Sequence, residues 1–356
     1  MSALKFTGPV LPDGEVRDLY VVGGRITYER PQGAELAGSG WLLPGLVDAH
    51  NHLGLADGGA VSDDEVVQQA LADRDTGVLL LRDCGSPADT AWVHEREDLP
   101  RLIRAGRHIA RTRRYLRDYG HEVEPEELSA TVALEAERGD GWVKLVGDWI
   151  SRDAGDLAPS FPAASFADAI AVAHAHGARV TAHCFGHEVL QGLLDAGIDC
   201  IEHGTGLDVD QVAQMAAAGV ALVPTVLQTD KFPGFADAGR DKFPVYADRM
   251  ERLHRRRRET LMSAYDAGVD LFVGSDGGGS ARHGCLTEEI LAMAAMGLPA
   301  EHVLGAASWR ARAWLGWDAD LAEGAAADFV VLDRDPRADL SVLARPSVVV
   351  LRGRIV

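Results

Sequence analysis

The sequence predicts an α/β fold: a (β/α)8 barrel with a small β-sandwich domain built from both chain termini. Three observations predict it. A helix–glycine–apolar-run unit recurs along the middle of the chain, chemistry-bearing residues recur at the same end of that unit, and the two termini alone read as hairpin-like strands. The length of 356 residues suits one large barrel domain or two ordinary ones.

The recurring unit appears in DTGVLLLRD (75–83), AHGARVTAH (175–183), DAGIDCIEH (195–203), AAGVALVPT (217–225) and DAGVDLFVGSD (266–276), with GDGWVKL (139–145) as a variant. Glycine takes the left-handed conformation that ends a helix. The Val/Ile/Leu-rich run after it does not alternate strictly, which suits a parallel strand covered on both faces. Helical segments such as SFADAIAVAHAH and DVDQVAQMAAA lie between the runs, and strand–helix alternation makes a parallel α/β architecture. Eight strands are expected, at 46–50, 78–82, 108–110, 142–145, 179–182, 200–202, 221–223 and 271–274. The catalytic face of such a barrel is the C-terminal end of its strands. His50, His52, Lys144, His183, His203 and Asp276 all fall there.

At the N-terminal end, DLYVVGGRITYE (18–29) reads as a hairpin around Gly23-Gly24. ADFVVLDRDP and SVVVLRGRIV read as strands near the other end. The expected division is a β-sandwich domain from 1–42 plus 325–356 and a barrel domain over 43–324.

The net charge of −19 argues against a nucleic-acid partner. The run HRRRR (254–258) has acidic neighbours Glu251 and Glu259 and reads as a solvated helix face. No apolar run is long enough to span a membrane, and the N-terminal stretch lacks the pattern of a secretion signal. The expected location is therefore cytoplasmic. Cys84, Cys184, Cys200 and Cys285 form no close pair, so a disulfide framework is not expected.

The stretch LPGLVDAHNHLGL (43–55) sets His50 and His52 one residue apart. In an extended strand their side chains point the same way and two neutral imidazoles can hold a metal ion. With GWVKLVGD, RVTAHCFG, CIEHGT, VGSDGGG and the tail EGAAADFVVLDRDPRADL, the chain resembles the amidohydrolase superfamily of metal-dependent hydrolases, and most of all its imidazolonepropionase-like and prolidase-like branch. The likeness runs nearly the whole length, with the motifs in order at successive strand ends. It implies two divalent metal ions, usually zinc. His50, His52 and Asp276 would hold the first, His183 and His203 the second, and Lys144 would bridge them as N6-carboxylysine. A lysine ammonium only donates hydrogen bonds, whereas a carbamate offers two anionic oxygens.

The activity this implies is hydrolysis of an amide or other C–N bond in a peptide, N-acyl amino acid or cyclic amide. A water bridging the metals would attack the carbonyl. Asp276 would act as general base and then acid, and His203 would contact the bound carbonyl. Substrate contacts are expected from the loop RTRRYLRDYGHEVEP (111–125), through Arg114, Tyr119 and His121, and from VPTVLQTD through Thr225. An arginine there would clamp a substrate carboxylate. The related branch often carries Gly-Gly-His where this chain has Tyr119-Gly120-His121. The glycines of GSDGGGS are expected to let backbone crowd the metal site. No G-x-S-x-G elbow surrounds a serine.

The rival enzymatic reading is a mononuclear-metal deaminase of a small heterocycle. It needs a His-x-x-Glu type element, but Glu188 stands five residues after His183. A dead scaffold is the non-enzymatic rival, and the presence of every expected ligand opposes it. A homo-oligomer is compatible with the sequence.

Overall fold

The computed structural model describes residues 3–356. The predicted strands form as Leu46–Asn51, Val78–Asp83, His108–Arg111, Trp142–Val146, Arg179–Cys184, Cys200–His203 and Ala221–Val223. Parallel pairing runs in order from Trp142–Val146 through Arg179–Cys184 and Cys200–His203 to Ala221–Val223. The six glycines of the recurring unit, Gly77, Gly141, Gly177, Gly197, Gly219 and Gly268, take φ between 69° and 85°.

Two strands differ from expectation. The third begins earlier, at Arg101–Arg104, which pairs in parallel with Val78–Asp83. The chain then breaks at Gly106 (φ 73°) and resumes as His108–Arg111, which meets the fourth strand at Ile109–Leu145. A side chain at Gly106 would collide with Glu135, whose carboxylate accepts from the Arg107 backbone N–H at 2.6 Å. Sequence alternation alone did not reveal this two-part strand because its apolar residues are split by the break. The eighth segment, expected at 271–274, is no regular strand. It makes single bridges, Leu271 to Leu222 on one side and Gly277 to Asn51 on the other. Hydrogen bonds accompany both: Phe272 N to Leu222 O at 3.0 Å and Ala49 N to Val273 O at 2.9 Å.

Alternation along the strands sorts residues between two cores. Leu79, Leu81, Val143, Leu145, Val180, Ala182, Ile201, Leu222, Leu271 and Val273 pack in the layer shared with the helices. Leu80, Trp142, Cys200, Ala221, Val223 and Phe272 belong to a separate inner cluster. Arg82, Lys144, Thr181, His183 and Glu202 share the parity of that inner set. The period of two therefore delivers polar chemistry to the inside of the strand assembly.

Strands from both ends of the chain share one eight-stranded sheet. Leu4–Val10 pairs with Glu15–Val22, and Phe329–Leu332 lies between Trp41–Pro44 and Val348–Leu351. The Gly23-Gly24 turn joins Glu15–Val22 to Arg25–Thr27 as read from the sequence. Trp41–Pro44 belongs wholly to this sheet, so the chain leaves it at Gly45. The four cysteines are buried and free. Most of the 254–258 run is exposed on the helix Pro244–Asp266, where Arg257 Nε reaches Asp230 at 2.7 Å. Among the described residues no helix is long and apolar enough to cross a membrane.

Glycine positions give a stability test. A Cβ on Gly274 would sit 2.6 Å from the backbone nitrogen of His50, which cannot yield. Gly274→Ala is expected to lower stability by about 3 kcal/mol. Gly234 is exposed, lies in the helix Phe232–Gly239 and has open space around its Cβ direction. Gly234→Ala should raise stability by roughly 0.5–1 kcal/mol. Urea midpoints of the two variants check both signs.

Candidate metal centre

The site forms where the inner face of the strands meets their C-terminal ends. His50 Nε2 and His52 Nε2 face each other at 3.1 Å. Asp276 Oδ1 lies 3.2 Å from the first and 3.0 Å from the second. These three residues could hold a metal ion. His183 and His203 stand beside them, ring centroids 4.7 Å apart, and His203 lies 5.3 Å from His50. Lys144 is buried (1 % exposed) and lines the same cavity. The structure thus brings together the six residues read from the sequence as candidate ligands.

Three of the imidazoles have a partner behind them. His50 Nδ1 is 2.7 Å from Glu202 Oε2. His52 Nδ1 is 2.8 Å from the Gly85 carbonyl, and His203 Nδ1 is 2.6 Å from Thr225 Oγ1. In each case the far nitrogen is occupied, which leaves Nε2 for the cavity. His183 Nε2 is buried and has no hydrogen-bond partner. A buried, unpaired ring nitrogen beside a histidine cluster fits a metal ligand.

Backbone strain completes the arrangement. His203 has φ 67°, Thr225 φ 43° and Asp276 φ 55°. Alternation would send His203 opposite to Glu202, toward the helices. Its left-handed turn is where the chain departs from that rule and the ring reaches the cavity. The glycines of the eighth-strand motif allow the crowding expected of them: a Cβ on Gly278 would meet the His52 carbonyl at 2.7 Å.

Burial favours the neutral form of His183 and His203. It pushes His203 down to about 3 and His183 well below the ordinary imidazole value. For Asp276, burial opposes the charge, but His50 and His52 outweigh it and hold the carboxyl well below its usual range. For His50, burial also opposes the charge, while Glu202 and Asp276 outweigh it and raise its value.

The substrate contacts read from the sequence mostly take other roles. Tyr119 lines the cavity. Arg114 does not: its guanidinium donates to the carbonyls of Trp149 at 3.0 Å and Ala158 at 2.8 Å, pinning the hairpin Asp148–Ser151/Asp156–Pro159. His121 is turned to the helix Leu128–Arg138, where Nε2 meets Glu135 Oε1 at 2.9 Å. Thr225 is fully buried behind His203. From the VPTVLQTD wall it is Gln228 that reaches the cavity. In each case a nearby partner from another segment claimed the side chain first, which a loop sequence does not display.

The Amidohydrolase family model matches residues 41–356. The chain belongs to the amidohydrolase family. Uncharacterized proteins of Mycobacterium tuberculosis and Mycobacterium bovis are each 50% identical to it over 353 residues, which cover 99% of this chain and 95% of theirs. The fold is similar to the crystal structure of a Xaa-Pro dipeptidase with bound methionine in the active site (22% identity, TM-score 0.82, all of both chains). It is also similar to a prolidase complexed with N-methylphosphonate-L-proline (22%, TM-score 0.81, 100% of this chain and 99% of that one). A. niger ochratoxinase is a third (18%, TM-score 0.82, 99% and 95%). These likenesses show a TIM-barrel-like α/β fold. With the converging donor set, family membership makes this amidohydrolase a metal-dependent hydrolase.

Three residues that the sequence reading passed over support the ligands of this amidohydrolase. Glu202 holds His50 and is itself held by Arg82 at 2.6 Å and by Thr181 Oγ1. Arg82 lies between the rings of Trp142 and Trp314, 4.5 and 4.9 Å from their centroids. Asp48 ties the first strand to the eighth segment, accepting from Ser275 N at 2.9 Å and Ser275 Oγ at 2.5 Å. The available signal was a charged residue inside an apolar strand, as in VDAH, LLLRD and CIEH.

Removal of the carboxylate behind His50 gives a direct test. Glu202→Gln is expected to weaken zinc binding about 10- to 100-fold, measured by chelator competition on protein whose circular dichroism is unchanged.

Proposed function

We propose that the protein hydrolyses an amide or related C–N bond with two divalent ions, zinc in the first instance. His50, His52 and Asp276 would hold one ion, His183 and His203 the other, and Lys144 would bridge them as N6-carboxylysine. The observation that carries this reading is the position of Lys144. It is buried among four histidines and Asp276, and no ion pair neutralises it among the described residues. Lysines are rarely buried without a partner. Addition of carbon dioxide to the amine forms an N–C bond, releases a proton to solvent and leaves an anion suited to two cations.

When bound, the ions supply an acidified water and polarise the scissile carbonyl. The protein's own groups do the rest. Asp276, held ionised by the neighbouring imidazoles, takes a proton at a carboxylate oxygen. A carboxyl of depressed pKa gives that proton up readily to the leaving nitrogen. His203 stays neutral and is fixed by Thr225. Trp149 and Phe185 pack on His183, with centroids at 5.3 and 4.2 Å, and restrict water to the cavity side. Ser275 is no nucleophile in this scheme, since its hydroxyl is committed to Asp48.

Glu188, the acid a deaminase reading would need, is bound to Arg249 at 2.7 Å and does not line the cavity. The proposal includes closure of the strands into a barrel with a β-sandwich from both chain termini, its first boundary moved from residue 42 to Gly45 because Trp41–Pro44 pairs in the terminal sheet. The bridges of Leu271 and Gly277 to the seventh and first strands support that closure. The partner in this reading is a small-molecule amide.

Metal analysis of zinc-reconstituted protein should find two ions per chain, and carbon-13 bicarbonate should label Lys144. Lys144→Ala should retain one ion at most and lose roughly 10³-fold in kcat/KM on any amide substrate. Full activity with a single ion and an unmodified lysine would overturn the binuclear reading.

A further inference from the structure

The cavity holds about 610 Å³, and the candidate metal donors make up only part of its lining. Much of the remaining wall is made of rings, among them Tyr115, Tyr119, Trp149, Phe235 and Tyr246. They come from different segments that brace one another. Tyr115 packs edge-on against Trp149 at 4.8 Å, and Phe185 packs on Phe232 at 4.6 Å. Arg249 joins the long helix to the hairpin through Asp156 at 2.7 Å, so the two walls are tied together.

Charge is scarce on this wall. Among the described residues no arginine lines the cavity, and beyond Lys144 the one ammonium is Lys242, which is exposed beside the ring of Phe243. Arg114, the nearest guanidinium in the third-strand loop, is committed to backbone carbonyls. Asp57 adds a negative charge to the lining, and the whole chain carries −19. A carboxylate attached beside the scissile bond would enter this box without a partner on the wall.

Outside the candidate metal donors, two polar groups of the lining lack partners among the described residues. His108 is completely buried, and neither of its ring nitrogens has a hydrogen bond. Its ring stacks on His52 (4.9 Å, 25°) and leans on Tyr115 at 5.5 Å. It lies alongside the metal-ligand histidine, between that ligand and the aromatic wall. Gln228 Oε1 is likewise buried without a partner. A neutral imidazole offers one donor and one acceptor, the complement of an amide N–H and carbonyl.

We infer that the substrate is an uncharged amide carrying an aromatic group next to the scissile bond, with the ring in this box and the amide group hydrogen-bonded by His108. The inference rests on the amide-hydrolase reading above and narrows its substrate. His108 is then a substrate contact with no part in holding metal.

A matched pair tests it on the zinc-loaded protein: an N-acyl phenethylamide and the N-acyl phenylalanine of the same acyl group, which differ by one carboxylate. The neutral compound is expected to show at least tenfold higher kcat/KM. His108→Phe keeps the ring and the stack and should raise KM about tenfold at unchanged zinc content, while His108→Gln, which restores a donor and an acceptor, should recover part of the loss. If His108→Phe does not fold, His108→Gln against the native protein carries the comparison, with an intermediate KM expected. Equal or better turnover of the phenylalanine compound would overturn the inference and leave amide hydrolysis standing. An unchanged KM in both variants would remove His108 from the binding role. Failure of the two-ion protein to cleave either compound or any other amide would overturn both readings together.

Discussion

A carboxylate buried on the inner side of the strands organises this protein. Glu202 has no exposed surface and touches His50 with one oxygen and Arg82 and Thr181 with the other. A lone carboxylate there would be too costly to ionise, and Arg82 makes it tolerable. The guanidinium in turn is placed by the indoles of Trp142 and Trp314. The stack therefore runs from an aromatic floor, through a paired charge, to an imidazole whose free nitrogen enters the cavity. Breaking such a pair by removing one partner costs about 3–5 kcal/mol, so aim of the ligand and integrity of the core are one problem. Second-strand, fourth-strand and sixth-strand positions must all be in register for His50 to point where it does.

The strand ends carry the complementary device. His203, Thr225 and Asp276 all adopt left-handed backbone at the rim. Such residues persist only where surrounding contacts over-determine them. Here those contacts are visible: Thr225 bonds His203, and the backbone of Val226 and Leu227 donates to the buried carboxylate of Glu289 at 2.5 and 2.8 Å. Asp276 N bonds the carbonyl of His50 at 2.8 Å. Strand alternation delivers Lys144, His183 and Glu202 to the inner side, and the left-handed turn at His203 adds a ring that alternation would send the other way. The combination places more donors around one point than alternation alone could supply.

The legibility of the sequence followed this division. Lys144 and His183 were readable because they sit on regular strands at the end of a repeated glycine-initiated unit, and His50 and His52 because their spacing is itself a metal signature. The third strand was only half readable, since Gly106 and Glu135 break it through a contact 29 residues apart. Tyr119, read as a substrate contact, lines the cavity. Arg114, His121 and Thr225 lie away from the cavity, because each found a partner contributed by another segment: hairpin carbonyls, Glu135 and His203. Glu202 and Asp48 stood in plain view as charges in apolar runs, but their meaning depends on which strand lies beside them.

By itself the sequence determined what recurs locally: the alternation of strand and helix, the glycines at φ near 80°, the identity of the donors and their common position at strand ends. Those follow from short-range sterics and from periods of two and 3.6, which need no knowledge of distant neighbours. Only the tertiary structure decided which side chains share a space. It set the convergence of five donors and a lysine, the diversion of Arg114 from the cavity, and the unpartnered His108 against a wall of rings. Hydrogen bonding and packing between remote segments settle such matters, because a polar group takes whichever buried partner the fold brings within reach.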